Sequence, residues 1–393
     1  MSNSVTRFAH TAAGRLPDPI ADRVLPGRRR AIAEGGTTRV RRAHARLFIG
    51  PVNSAGQGYA WARAAERLPG VAAADFMYRN PGDVFAFPAD HAVPTAFFIA
   101  SAPWQRAQRR AVAKRFSHVI IESGRHLFGS DGRLLDQIEY LGRSGLRVAL
   151  LWHGSDIRLP SRHAATDSDS PFLAGRYPET DRLEEIAQRN HALIAESGLP
   201  VFVSTPDLLE YVRGATWLPV VVDVDRWADA ATAPALERER PVVVHAPSNA
   251  GLKGSDLIAG TVRRLDAEGV IEYREVRGVA AEQMPEVYGT ADIVLDQFAL
   301  GIYGVAACEA LAAGRVVVSH VADFTRQTVR ERTALELPIV EARADRLESV
   351  LRSVVAERER YRAHAATGPD FVRTVHDGRR SARVLGAFLG ATV

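Results

Sequence analysis

Residues 245–256, "HAPSNAGLKGSD", join an apolar run to a helix start through a loop in which Lys253 stands between Gly251 and Gly254. Lysine is rare here: of 50 Lys and Arg residues only Lys114 and Lys253 are lysine. The two glycines free the backbone to approach a ligand, and Ser255 or Asp256 can cap the helix that follows. A helix N-terminus beside an ammonium suits a diphosphate. A solvated lysine in a turn is the other reading, since the complete phosphate-loop signature is absent.

A second group is Glu309 in "GVAACEALAAG". That segment is otherwise small and apolar on all sides, which predicts a buried helix opened by Gly304. A buried carboxylate needs donors. Ribose hydroxyls at a nucleotide site would serve, and so would neighbouring backbone or an arginine such as Arg315. The third group is His153, which ends an apolar strand and enters "HGSD". It can move a proton or orient a sugar hydroxyl, or simply bond a nearby carbonyl.

Weaker signals point elsewhere. Gly56, Gly58 and Asp75 have dinucleotide-fingerprint spacing, but Trp61 holds the third glycine position, so NAD is not expected. "DSD" at 167–169 and "DVD" at 223–225 resemble metal-binding carboxylate pairs, although the former reads more readily as a polar loop. There is no cysteine-histidine zinc spacing and no G-x-S-x-G elbow. "PWQRAQRRAVAKRF" puts Arg106, Arg109, Arg110 and Lys114 at helical spacings, for a solvated face or for an anionic membrane or acceptor.

These residues must be carried by alternating elements. "RLFIGPV", "FSHVIIE", "LRVALLW" and "LPVFVS" read as strands, with helices at "YAWARAAERL", "DGRLLDQIEYLG" and "ETDRLEEIAQRNHALIAES". After a break at "DVDRWADAATAPALERERP", "PVVVHAP", "IEYREV", "DIVLDQF" and "RVVVSH" alternate with further helices. The expectation is α/β: two doubly wound, Rossmann-like parallel-sheet domains facing across a cleft, with ligands beyond the carboxyl ends of the strands. The boundaries are a basic, partly irregular leader over 1–45, a first domain over 46–222, a linker over 223–240, a second domain over 241–370 and a final helix over 371–393.

Composition bounds the function classes. At 393 residues with 46% hydrophobic and 24% charged residues, the chain is an ordinary globular sequence of two-domain size. A net charge of +4 does not indicate nucleic acid. One cysteine, Cys308, fits a reducing compartment. Neither a signal peptide nor a run of roughly 18 apolar residues is present, so a cytoplasmic protein is expected, with peripheral contact at the inner membrane face as an option.

The constellation resembles the GT-B fold, retaining glycosyltransferases of family 4, also called glycosyl transferases group 1. The likeness is strongest over 241–320, in "HAPSNAGLKGSD" and "YGTADIVLDQFALGIYGVAACEALAAGRVVVSH", and thinner at "LWHGSDIR", "WLPVVVDVDRW" and "GPDFVRTVHDG". It implies a nucleotide-sugar donor site of Ser248, Lys253, Val279, Asp296, Gly301, Gly304, Val305 and Glu309. Lys253 would bind the diphosphate, Glu309 the ribose, and the loop 277–279 the base. His153 and Lys253 would be catalytic, with Gly56, Gln57 and Asp156 on the acceptor side, and the last segment would cross back to the first domain. The family usually has a second glutamate where this chain has Gly301, and an arginine where it has Pro247 and Ser248. Asp296 or the Gly301 backbone can take over sugar contacts. The implied partners are a nucleotide-sugar and a glycan, lipid-linked or small-molecule acceptor; no cofactor or metal is required. The implied activity is sugar transfer to a hydroxyl in surface polysaccharide, glycolipid or glycoconjugate synthesis. The alternatives are a non-catalytic nucleotide-sugar-binding partner protein and a GT-B nucleotide-sugar epimerase.

Overall fold

The computed structural model describes residues 17–130 and 132–391. Seven strands form the first sheet: β1 (Ala45–Gly50), β2 (Val71–Arg79), β3 (His91–Pro94), β4 (His118–Glu122), β5 (Arg147–Trp152), β6 (Val201–Val203) and β7 (Thr216–Trp217). Five form the second: β8 (Val242–His245), β9 (Glu272–Glu275), β10 (Ile293–Leu295), β11 (Val316–Ser319) and β12 (Val340–Glu341). Their orders are β3-β2-β1-β4-β5-β6-β7 and β12-β11-β10-β8-β9, and every pairing is parallel. The apolar runs of β1, β4, β5, β8 and β11 are buried almost end to end. That is how a strand covered by helices on both faces reads in sequence.

In both sheets the order reverses beside the first strand, β1 or β8, so the loops after these strands open on a crevice. The two crevices face each other. The first ends in β1 followed by residues 51–56, with Gly56 at φ +73 handing over to helix Gln57–Ala65. The second ends in β8 followed by residues 246–254.

Between the domains, residues 218–223 run along the helix Gln57–Ala65. The Gln57 amide exchanges two bonds with Val221, at 2.6 and 3.1 Å, and Trp61 Nε1 donates to Pro219 O at 2.8 Å. Trp61 thus anchors the segment after β7, where a dinucleotide site would need a glycine. Helix Arg379–Leu389 lies against the first sheet: Ser381 Oγ donates to Pro219 O at 2.7 Å and Phe388 packs edge-on to His118 and Phe202.

Residues 1–16 of the leader lie outside the described residues. The remainder holds two helices, Asp18–Val24 and Pro26–Gly35. They cover the basic helix Ala102–Arg115, where the buried Asp22 carboxylate accepts from Arg106 at 3.0 Å and Arg110 at 2.7 Å. Arg109 lies over the Tyr140 ring. Three of the four cations on that face are therefore engaged within the protein. Among the described residues no helix is long and apolar enough to cross a membrane.

Candidate functional site

The loop after β8 makes a single helical turn, Ala250–Lys253, capped by Asn249, whose side chain accepts from Leu252 N. Gly254 then adopts φ +72 and starts helix Ser255–Ala267. A Cβ at Gly254 would lie 2.9 Å from Ala299 Cβ, so glycine is required for conformation and space alike. Ser255 does not cap; its hydroxyl meets His245 Nε2 at 2.7 Å. Phe298 N donates to Lys253 O at 2.9 Å, which ties the loop to the segment after β10. Lys253 Nζ consequently reaches Asp296 Oδ1 at 2.5 Å, and both side chains are largely buried.

These residues line a cavity of about 280 Å³ that also takes in Ser248, Val279, Gly304, Val305 and Glu309. Seven of the eight donor-side residues expected from the sequence thus converge. Gly304 precedes helix Val305–Ala312, whose first N–H groups have no helical partner. Among the described residues, none hydrogen-bonds the Glu309 carboxylate. Arg315, the partner considered for it, instead donates to the carbonyls of Ala313, Ala291 and Ala233. Burial pushes Glu309 up to about 8, with Lys253 and Arg226 pulling the other way. Tyr288, also on the wall, is buried and held well above the ordinary phenol range by burial and by Glu309 and Asp296. Asp296 Oδ2 and Gln297 Oε1 are buried without partners. Such orphaned atoms are uncommon and mark places where polar capacity is held in reserve.

Gly301 is not brought into this cavity. It turns at φ +62 with its carbonyl accepting from Ala322 N at 2.9 Å, and it lines a separate space of about 300 Å³ beside His320 and Arg343.

A larger cleft of about 1090 Å³ lies between the domains, lined by Gly56, Gln57, Arg63, Arg67, Asp223 and Arg379 among others. It shares Ala55, Phe87, Ala281 and Glu309 with the smaller cavity. Asp156 lies outside both; its carboxylate accepts from the N–H groups of His153 and Gly154 and from Ser123 Oγ at 2.6 Å. It shapes the turn after β5.

His153 also lines neither cavity. Its ring stacks on Trp61, and Nε2 lies 3.1 Å from Glu122 Oε1. Glu122, fully buried at the end of β4, takes the N–H groups of Val52 and Asn53 on its other oxygen, each at 2.9 Å. Burial disfavours the charged imidazole, but the Glu122 carboxylate overcomes this and raises its pKa. Glu122 escaped the sequence reading. Its signal was a carboxylate closing an apolar strand, at the end where ligands bind. The metal-like pair Asp167 and Asp169 is engaged by Arg343, at 3.0 Å to each. Asp75, of the dinucleotide spacing, exchanges bonds with Asp90 across its backbone.

No protein-family model matches the chain, and no curated protein matches it. Solved structures do. Sucrose-phosphate synthase from Thermosynechococcus elongatus aligns with a TM-score of 0.54 at 14% identity over 88% of this chain and 98% of that one. Anabaena Alr3699/HepE, solved in complex with UDP and glucose, gives 0.54 at 11% over 88% and 99%. A glycosyltransferase from Rickettsia africae ESF-5 gives 0.52 at 10% over 88% and 98%. At such identities the likeness is one of fold, and the fold is the GT-B arrangement of two parallel-sheet α/β domains.

Proposed function

We propose that the protein is a retaining glycosyltransferase of the family 4 type, carrying a sugar from a nucleotide-sugar donor to an acceptor hydroxyl. The observation that carries this reading is the cavity in which Lys253, the N-terminus of helix Val305–Ala312 and an unpartnered Glu309 stand together. The spacing suits a nucleoside diphosphate: cation and helix N–H groups for the phosphates, a carboxylate for the ribose diol, and residues 277–279 for the base. HepE, solved with UDP-glucose in a second structure, is a fold relative that binds such a donor.

In the front-face reaction the acceptor oxygen attacks the anomeric carbon on the side from which the diphosphate leaves. The C–O bond to the nucleotide breaks, the new glycosidic bond forms on the same face, and the acceptor proton passes to the departing phosphate oxygen. Negative charge grows on that oxygen. Lys253 can swing from Asp296 towards it, and as a flexible point charge it follows the phosphate more easily than an arginine fork. Released from Lys253, Asp296 can accept from a sugar hydroxyl. His153, whose pKa the Glu122 carboxylate raises, lines neither cavity and is assigned a supporting place behind the loop after β1, whose Val52 and Asn53 N–H groups Glu122 holds. The acceptor enters by the larger cleft, whose mixed charges suit a polar glycan or lipid-linked headgroup, in surface polysaccharide or glycolipid assembly in the cytoplasm.

The test is transfer itself. Purified protein with a panel of nucleotide-sugars should release nucleoside diphosphate, the sugar passing to water where no acceptor is supplied, and Lys253→Ala should lower that release about 10²–10³-fold. A specific observation favours one other reading. Lys253 is already neutralised by Asp296, as in a binding protein without turnover, and such a protein would bind one donor yet never cleave it.

A further inference from the structure

The donor cavity is built on the second domain except for one wall, which the first domain supplies through Ala55, Phe85 and Phe87. Phe85 is 38% exposed beside a 51% exposed Val84. Leaving apolar surface in water forgoes the free energy of burying it, so an exposed phenyl ring in a defined place calls for an occupant. The loop is firmly held. Arg79 donates to Phe87 O at 2.6 Å, Asn53 Nδ2 donates to Pro88 O at 2.8 Å, and Phe85 N donates to Asp83 Oδ1 at 3.2 Å. Ala86 between the two rings sits at φ +48, a left-handed conformation unfavourable for a residue with a Cβ. The rings lie near-parallel, 20° apart with centroids 5.9 Å from each other.

The loop also touches the second domain directly: Ala281 N donates to Phe85 O at 3.2 Å. Val276, Val279 and Met284 line the same cavity, as do Lys253 and Glu309. The cavity therefore combines apolar and aromatic lining with ionic groups. A ligand matching both carries a flat ring together with anionic and hydroxyl groups.

We infer that Phe85 and Phe87 close over the nucleobase of the donor, so that base recognition is shared between the domains and donor binding draws them together across the Phe85–Ala281 contact. This inference rests on the nucleotide-sugar reading above. Stacking on aromatic rings tolerates every base, because each has a π-face. Choice among bases falls to the backbone of residues 277–279.

The experiment is calorimetric titration of the full chain with UDP, ADP and GDP, and with inorganic pyrophosphate as a probe lacking the base. Phe85→Ala and Phe87→Ala should each weaken the preferred nucleoside diphosphate by roughly five- to a hundred-fold, the range for loss of one base-aromatic stack. Pyrophosphate affinity should stay unchanged, and Phe85→Tyr should bind as the wild type does. Phe324→Ala removes a phenylalanine of similar exposure, 39%, outside the cavity lining and should alter neither affinity. Unchanged nucleotide affinity in both alanine variants overturns the inference, as does an equal loss of nucleotide and pyrophosphate binding. Wild-type protein that binds no nucleoside diphosphate overturns the proposed function first, and the inference with it.

Discussion

The domains meet at two places that treat charge in opposite ways. Around Asp167 every charge is matched. The carboxylate accepts from Arg343 at 3.0 Å and lies 3.3 Å from His320 Nε2; His320 Nδ1 lies 2.7 Å from Glu341, which also takes Val321 N and Arg326. Burial works against ionising both Asp167 and His320. Mutual hydrogen bonding prevails, holding the Asp167 carboxyl well below the carboxylate range and pushing His320 up to about 9. Around Glu309 the matching is incomplete: one carboxylate lacks a donor, two buried oxygens are orphaned, and the ammonium has one partner. Charge density alone does not distinguish these regions. The gathering of unused hydrogen-bonding capacity in one cavity does: two orphaned oxygens and the unpartnered Glu309 there, against Asp207 Oδ1 alone beside the clasp.

That contrast can be broken most sharply at Lys253. Lys253→Ala should lower turnover about 10²–10³-fold, the usual cost of removing one preorganised donor to developing charge. It should also lower the melting temperature, because Asp296 is left buried and unpaired. Adding Asp296→Asn should restore the melting temperature and leave turnover low. Rates and melts on the single and double variants check both halves.

Asp167→Ala should do the reverse. It takes one partner each from His320 and Arg343, which keep Glu341 and Asp169, costing about 1–3 kcal/mol, and should leave donor affinity unchanged. Denaturant unfolding and calorimetry read the two effects separately.

Glu309→Gln sharpens the comparison through pH. A carboxyl raised from 4.5 to about 8 favours the native state fully at low pH, and that advantage fades as pH rises through 8. The glutamine variant should therefore match the wild type near pH 4 and exceed it in stability by about 1–3 kcal/mol above pH 8. Melting curves across that range test the sign. The smallest effect concerns His320. Its pKa is raised from 6.5 to about 9, so the stability it lends is complete below pH 6.5 and is lost as pH climbs through 9. His320→Gln should flatten the pH dependence of melting in that window.

The fold and the Glu309 side of this contrast are legible in the sequence, whereas the clasp at Asp167 is not. The apolar runs of β1, β4, β5, β8 and β11 announce buried parallel strands, and glycines around Lys253 and before Glu309 locate two loops of the cavity. β2, "VAAADFMYR", was missed because alanine carries little strand signal. β7 and β12 have two residues each, too few for any period. Gly301 illustrates a different limit. Its place in sequence matched a sugar-contacting position, yet the positive-φ turn there directs it to the clasp side. Glu122 and Phe85 act through partners 31 and 196 residues away, His153 and Ala281, and no local pattern reports such pairings.

The central claim is that the unsatisfied groups around Glu309 await a nucleotide-sugar. Its most direct test is thermal stability against a panel of nucleoside diphosphates and nucleotide-sugars, comparing wild type with Glu309→Ala. One donor should stabilise the wild type selectively, by about 2.7 kcal/mol at a hundred times its dissociation constant, and should fail to stabilise the variant. Absence of stabilisation by every donor, or equal stabilisation of the variant, would contradict the claim.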